Sequence, residues 1–353
     1  MNKKLLSYLL VALLLLSVLS LSACDRQPQR FSTYSFDYFH TTTTLIGFEQ
    51  DQEAFDATAA LILAELEEYH KLYTIYHRYE GLENLCTINE LKDGAHRTVT
   101  VDRRIIDMLL YAKEAYDVTG GLVNVAMGSV LSIWHDYRTL GSDEPWNAAL
   151  PPMDKLTEAA KHTDISNMVI DEAKSTVTLT DPAMTLDVGA IAKGYAVEMV
   201  ARSMEQKGIS GYVLNVGGNV RTIGAKPDGT PWTVGIEQPL EDATEPYLAQ
   251  LYLSGESLVT SGSYQRYYTV DGKNYHHIIH PDTLMPADGL VSVSVVCQSS
   301  AQGDALSTAL FCMSVEDGME LISSLPDVEA MWLTEDGAQY YSDGFAAYTQ
   351  EPK

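Results

Sequence analysis

The sequence predicts an α+β fold in which antiparallel strands dominate the second half. Three observations lead there. Apolar residues recur at helical spacing in the first half, at 51–80 and again at 102–118. The second half carries short runs rich in Val, Tyr and Thr, bounded by Gly, Asp and Pro. Helices grouped early and strands grouped late fit helices packed on antiparallel sheets better than an alternating parallel sheet.

Within 51–80, Phe55, Ile62, Leu66, Tyr69, Tyr73 and Tyr76 form a stripe suited to a core-facing helix face. Asp102 is a candidate N-cap for a second helix running to about Val118, where Gly120-Gly121 ends it. A short helix is expected at 153–163, then a hairpin from "MVID" and "STVTLT". A helix should follow Asp187 to about Lys207, closed by Gly208. The expected strands are 211–216, 232–237, 249–254, 257–262, 266–270, 274–279 and 290–297. The last alternates Val291, Val293 and Val295 with Ser292 and Ser294, which predicts one buried face. Asp271-Gly272 is a hairpin-turn signal. Two helices at 304–313 and 316–325, then strands "VEAMWLT" and "AQYYS", complete the series.

The chain opens with Lys3, Lys4 and an apolar run from Leu5 to Leu21, the pattern of a secretory leader. Its length would just permit a membrane span. The ending Leu21-Ser22-Ala23-Cys24 resembles a bacterial lipobox, which implies a lipoprotein signal peptide over residues 1–23, a lipidated Cys24 and a polar tether over 24–33. The rest, 34–350, contains no linker-like break or internal repeat and is expected to form one domain. Cys86, Cys297 and Cys312 leave an odd number of thiols, and no Cys/His cluster with zinc spacing occurs. The formal net charge is −25, and losing two lysines with the leader makes it more negative. Such a charge argues against non-specific nucleic-acid binding and against a polybasic membrane patch.

Four stretches can carry chemistry. "LDVGAIAKGYAVE" (186–198) sets Asp187 before a Gly-containing turn, with Lys193 following at a helix start, where anions bind. It lacks P-loop spacing. "VTSGSYQRYYTVDGKNYHHIIHP" (259–281) holds Arg266 and three histidines. Adjacent His276 and His277 should face opposite sides of their strand, so only one serves a given pocket. "VTGGLVNVAMGSVLSIW" (118–134) is either core or the wall of a pocket for a flat aromatic ligand, with Asn124 its polar handle. In "GDALSTALF" (303–311), Asp304, Ser307 and Thr308 share one helix face. Asp304 is there either an N-cap or a metal ligand.

In this order, and behind a lipobox, these stretches resemble the ApbE-like FAD:protein FMN transferases. The resemblance covers roughly residues 34–350, together with "VLNVGGNV" (213–220). It implies a T-fold-related α+β architecture and transfer of FMN from FAD to a Thr hydroxyl of an acceptor flavoprotein, releasing AMP. A divalent cation, Mg²⁺ with Mn²⁺ as the alternative, would assist. By position, the family's metal ligands fall on the Ala190 carbonyl, Asp304 and Thr308, with Ser307 auxiliary. FAD contacts fall on Leu122, Val123, Asn124, Asp187, Lys193, His277 and Ile278. His277 and Asp304 are the implied catalytic pair. The resemblance also implies a location on the extracytoplasmic face of a bacterial membrane, anchored by lipid at Cys24. The family's usual Met-Gly is missing near "FHTTTTLIGF", and Asn124 stands where an Asp is usual. Two other classes stay open: a Mg²⁺-dependent FAD pyrophosphatase, and a flavin-binding lipoprotein without turnover.

Overall fold

The computed structural model describes residues 27–90, 97–240 and 243–351. The leader and Cys24 lie outside the described residues. The core is an eight-stranded antiparallel sheet. Its strands, from edge to edge, are β1 (Gln29–Ser35), β2 (Thr43–Glu49), β6 (Tyr212–Val216), β7 (Asn219–Ile223), β10 (Ser257–Gly262), β13 (Leu290–Cys297), β14 (Val328–Thr334) and β15 (Gln339–Tyr341). Small antiparallel sheets are formed by β3 (Arg97–Thr100), β4 (Met168–Asp171) and β5 (Thr176–Leu179), by β8 (Trp232–Glu237) with β9 (Tyr247–Leu253), and by β11 (Tyr267–Val270) with β12 (Lys273–His276). Asp271 and Gly272 have φ of 48° and 79°, the doubly left-handed turn that suits a two-residue hairpin.

One face of the large sheet carries three helices: α1 (Gln52–Tyr73), α6 (Ala192–Gln206) and α7 (Ser300–Phe311). The apolar faces of α1 and α6 merge with α3 (Arg103–Val118) and the inner side of β2 and β6 in the largest core. The remaining helices are α2 (Leu85–Glu90), α4 (Gly128–Asp143), α5 (Met153–Ala159) and α8 (Val315–Ser324). The β8–β9 ribbon and Phe345 cover the other face of the sheet, against Val213, Val220, Leu258 and Val296. No helix among the described residues is long and apolar enough to cross a membrane.

Four expectations need correction. The first helix stops at Tyr73, not near residue 80. Thr74 takes an extended conformation and its hydroxyl accepts from the Tyr76 amide at 3.2 Å, turning Tyr76 and His77 toward a cavity. The polar stretch expected as a tether to residue 33 is, from Gln29, an edge strand paired with β2. Strand β13 is buried on both faces, because the β8–β9 layer covers what alternation suggests is solvent. Ser294 instead meets the Thr260 hydroxyl at 2.8 Å. Asp304 is not the cap of its own helix. Ser299 is, through its side chain to Gln302. Cys86, Cys297 and Cys312 are buried free thiols.

Candidate active site

Helices α6 and α7 cap each other. The Gly194 amide, in the first turn of α6, donates to Asp304 Oδ2 at 2.7 Å. The Ser300 amide, first in α7, donates to Glu198 Oε2 at 2.9 Å. Both satisfy amides that a helix start leaves without partners. The helices can approach because residue 194 is glycine: a Cβ there would lie 2.3 Å from the Ser300 carbonyl oxygen. Glu198 also binds Arg221 of β7 at 3.2 Å, which locks the pair of helices to the sheet. Asp304 is thereby fixed, 3% exposed, at the floor of a narrow cavity of about 180 Å³.

Ten of the expected site residues line that one cavity: Leu122, Val123, Asn124, Asp187, Ala190, Lys193, His277, Ile278, Asp304 and Thr308. Ser307 does not. It is fully buried, bonded to Ser261 Oγ at 2.9 Å and to the Asp304 carbonyl at 3.1 Å, so its hydroxyl is engaged by the fold. Asn124 is less free than expected. Its Oδ1 accepts from Ala126 N and its Nδ2 donates to the Thr163 carbonyl, so both polar ends shape the loop.

Asp304, Thr308 and Ala190 line the same cavity, so a carboxylate, a hydroxyl and a backbone carbonyl are available to it. An all-oxygen set of this kind suits a hard cation such as Mg²⁺ and leaves positions open for ligand oxygens and water. Lys193 Nζ lies 3.4 Å from Asp304 Oδ1. Asp187 Oδ1 accepts from the Gly189 amide at 2.8 Å, which shapes the turn that presents Ala190.

The two adjacent histidines divide their work as alternation requires. His276 Nε2 donates to the Ala287 carbonyl at 2.7 Å and its Nδ1 accepts from Ile278 N, a structural role. His277 faces the cavity. Its Nδ1 donates to the Arg266 carbonyl at 3.3 Å, which leaves the Nε2 lone pair for a ligand. Burial, then the charges of Arg266, Arg138 and Lys193, push the His277 pKa down to about 3, so the ring is neutral. His280 accepts from the Asp282 amide and orders the following turn.

Residues that the sequence did not single out complete the site. Helix α4 presents Leu131, His135 and Arg138 to the cavity, at helical spacing. His135 Nε2 lies 3.6 Å from Asp187 Oδ2 and its Nδ1 3.4 Å from the Tyr76 hydroxyl. Arg138 and Arg266 have no carboxylate within ion-pair distance among the described residues, in a chain of net charge −25. Arginines left unpaired on a cavity wall are a signal for an anionic ligand. Beyond Tyr76, Asp187 and Lys193 the cavity opens into a chamber of about 560 Å³ walled by Phe39, His40, His70, Tyr73 and His77. Burial, then the charges of His77 and Arg266, lower the pKa of His40, and burial, then His40 and His77, lower that of His70, which favours the neutral form of both rings.

Oxygen donors of the kind a hard cation takes, three cationic side chains, an aromatic chamber and an apolar wall suit an aromatic nucleotide with a pyrophosphate-like centre. The profile of the ApbE family matches residues 39–332. A Klebsiella pneumoniae FAD:protein FMN transferase is 32% identical over 79% of this chain and 83% of its own length. A Treponema pallidum FAD:protein FMN transferase is 33% identical over 79% of both chains. The crystal structure of the ApbE protein from Thermotoga maritima superposes with a TM-score of 0.78 at 26% identity, covering 92% of this chain and all of that one. The Vibrio cholerae flavin transferase ApbE shares the fold, with a TM-score of 0.74 at 24% identity over 91% of this chain and 99% of its own. The chain belongs to the ApbE family.

Proposed function

We propose that this chain is a FAD:protein FMN transferase that moves FMN from FAD to a threonine of an acceptor flavoprotein. The observation that carries the reading is the convergence of Asp304, Thr308 and Ala190 with Lys193 and His277 on one cavity. Phosphoryl transfer asks a protein for charge neutralisation and alignment more than for covalent chemistry. The aromatic chamber would take the AMP half, and the Leu122, Val123 and Ile278 wall the flat flavin ring. Lys193, Arg138 and Arg266 would hold the pyrophosphate. Asp304, Thr308 and the Ala190 carbonyl would hold Mg²⁺, or Mn²⁺ in its place, which supplies Lewis-acid charge stabilisation at the pyrophosphate.

The acceptor hydroxyl oxygen bonds to the FMN-side phosphorus, and the bond from that phosphorus to the bridging oxygen breaks. AMP leaves with that electron pair. The Nε2 of His277 takes the hydroxyl proton. A bound pyrophosphate has the opposite sign to the three cations that depress His277, so it raises the basicity of the ring when proton transfer is needed.

The chain's own location follows as part of the proposal: lipidation at Cys24 after removal of 1–23, and residence on the extracytoplasmic face of a bacterial membrane, where its acceptors also stand. Release of the protein from the membrane fraction by Cys24→Ser tests that part. The activity is tested by incubation with FAD, Mg²⁺ and a threonine-bearing flavoprotein domain. Covalent FMN on the acceptor with stoichiometric AMP is expected. Free FMN and AMP with an unmodified acceptor would make the chain a pyrophosphatase, and no product would make it a binder.

A further inference from the structure

Three cavities adjoin one another. The aromatic chamber shares Tyr76, Asp187, Lys193 and Arg266 with the narrow catalytic cavity. The catalytic cavity shares Thr41, Gly217, Thr260 and Gln265 with a third cavity of about 340 Å³. The chamber and the third cavity share no lining residue. In a displacement at phosphorus the attacking and leaving oxygens stand roughly in line. Resting on the transferase reading, AMP departs into the aromatic chamber, and the nucleophile must then reach the phosphorus from a side other than the chamber.

We infer that the third cavity is the entry groove for the threonine-bearing segment of the acceptor protein. Its chemistry fits an extended polypeptide and not a second nucleotide subsite. Among the described residues the lining has no Lys, Arg or His to meet a phosphate, and Glu237 is the one carboxylate. The polar groups are hydroxyls and amides, Thr42, Thr44, Asn215 and Gln265, suited to backbone N–H and C=O groups. Thr43 points into the helix-covered face, so Thr44 faces the opposite side, where the groove lies. Directly across from Thr44 on the edge strand β1 is Tyr34, 72% exposed and packed edge-on against Phe36, itself 67% exposed. Phe36 also borders a shallow opening lined by Thr41, Thr42 and Gln265 of the groove and by His40 and Arg266 of the chamber. An exposed aromatic pair beside a polar groove is the anchor that a protein partner buries, and a free metabolite has no use for it.

The test uses a recombinant flavoprotein domain with a single acceptor threonine, first labelled with FMN by the unaltered enzyme. Failure of that first step would remove the transferase reading before any variant is made. Thr44→Trp fills the groove without touching the chamber or the catalytic cavity. It is expected to lower kcat/KM for the acceptor about tenfold or more, with FAD affinity, read by flavin fluorescence quenching, unchanged. Acceptor labelling at the original rate overturns the proposal. So does a parallel loss of FAD affinity, which would give the cavity to the flavin. Should Thr44→Trp fold poorly, Tyr34→Ser with Phe36→Ser decides on an exposed surface. KM for the acceptor should rise about fivefold or more at constant FAD affinity, and an unchanged KM overturns the assignment.

Discussion

Asp304 Oδ2 accepts the Gly194 amide at 2.7 Å, so the carboxylate proposed to hold the cation also caps the helix that presents Lys193. Only one oxygen is used in this way, and the other faces Lys193 and the cavity. The two roles separate by substitution. Asp304→Asn keeps an acceptor for Gly194 but loses the charge. It should melt within a few degrees of the parent, bind Mn²⁺ poorly in calorimetry, and transfer FMN about a hundredfold or more slower. Gly194→Ala tests the scaffold. Its Cβ meets the Ser300 carbonyl oxygen at 2.3 Å and Asp304 Cβ at 2.4 Å. It should cost about 1–3 kcal/mol of stability, and activity should fall with it as the carboxylate shifts. A Gly194→Ala protein with unchanged melting and rate would contradict the reciprocal capping.

Ser307 and Thr308 are neighbours in sequence with opposite fates. Thr308 lines the cavity, whereas Ser307 ties α7 to β10 through Ser261. Thr308→Val, which keeps shape and removes the proposed ligand oxygen, should weaken Mg²⁺ binding markedly and raise the cation concentration for half-maximal transfer. Ser307→Ala should leave that concentration unchanged and cost about 1 kcal/mol from lost hydrogen bonds. Titrating Mg²⁺ against both variants, with denaturant melts beside them, gives the comparison. A Mg²⁺ response of Ser307→Ala matching Thr308→Val would return Ser307 to the ligand set.

Much of this site was legible because its chemistry is local. The acid and hydroxyl of Asp304 and Thr308 are four residues apart on one helix, and the Asp187 turn with Lys193 is contiguous. What escaped depends on which face of an element meets another. His135 and Arg138 sit in an ordinary amphipathic helix, and only the packing of α4 turns them toward Asp187 and the cavity. The edge strand at Gln29–Ser35 has a polar sequence, and the contact that ties it to the core, Phe31 on Phe55, comes from a helix two elements away. The helix N-cap was misplaced because Asp304 looks like a cap. The true cap, Ser299, stands before a buried turn whose first amide is taken by Glu198, remote in sequence.

Arg138 offers a test of the anionic centre apart from the cation. The guanidinium is half-buried on the cavity wall with no carboxylate in ion-pair range among the described residues, and burial lowers its pKa below the usual arginine value. Removing a charge so placed should weaken binding of a phosphate-bearing ligand and relieve the protein of an uncompensated buried cation. Arg138→Met should therefore raise the Kd for FAD about tenfold or more, while its melting temperature without ligand stays level or rises. Mn²⁺ binding without nucleotide should not weaken. A drop in ligand-free stability with unchanged FAD affinity would assign Arg138 to the fold instead.

Acid should unsettle the ligand-free protein through its histidines. His40, His70, His135, His276 and His277 all have pKa values lowered mainly by burial, with His277 pushed to about 3. The unfolded chain takes up protons near pH 6.5, and the folded chain resists until well below it. Stability conferred by these neutral rings is thus complete above about pH 6.5 and is lost as pH falls toward the folded values. Melting scans from roughly pH 7.5 to 4.5 should show a steady decline that flattens in His277→Gln, since one source of proton uptake is removed. Catalysis should separate from stability. In the free enzyme His277 is neutral throughout this range, so kcat/KM should show no imidazole limb near its ordinary value. In the FAD complex the pyrophosphate raises the His277 pKa, and kcat should acquire an acid limb that His277→Gln abolishes along with most of the rate. A kcat/KM limb near pH 6.5 in the parent enzyme that survives His277→Gln would place the essential base elsewhere, with His135 beside Asp187 as the next group to replace.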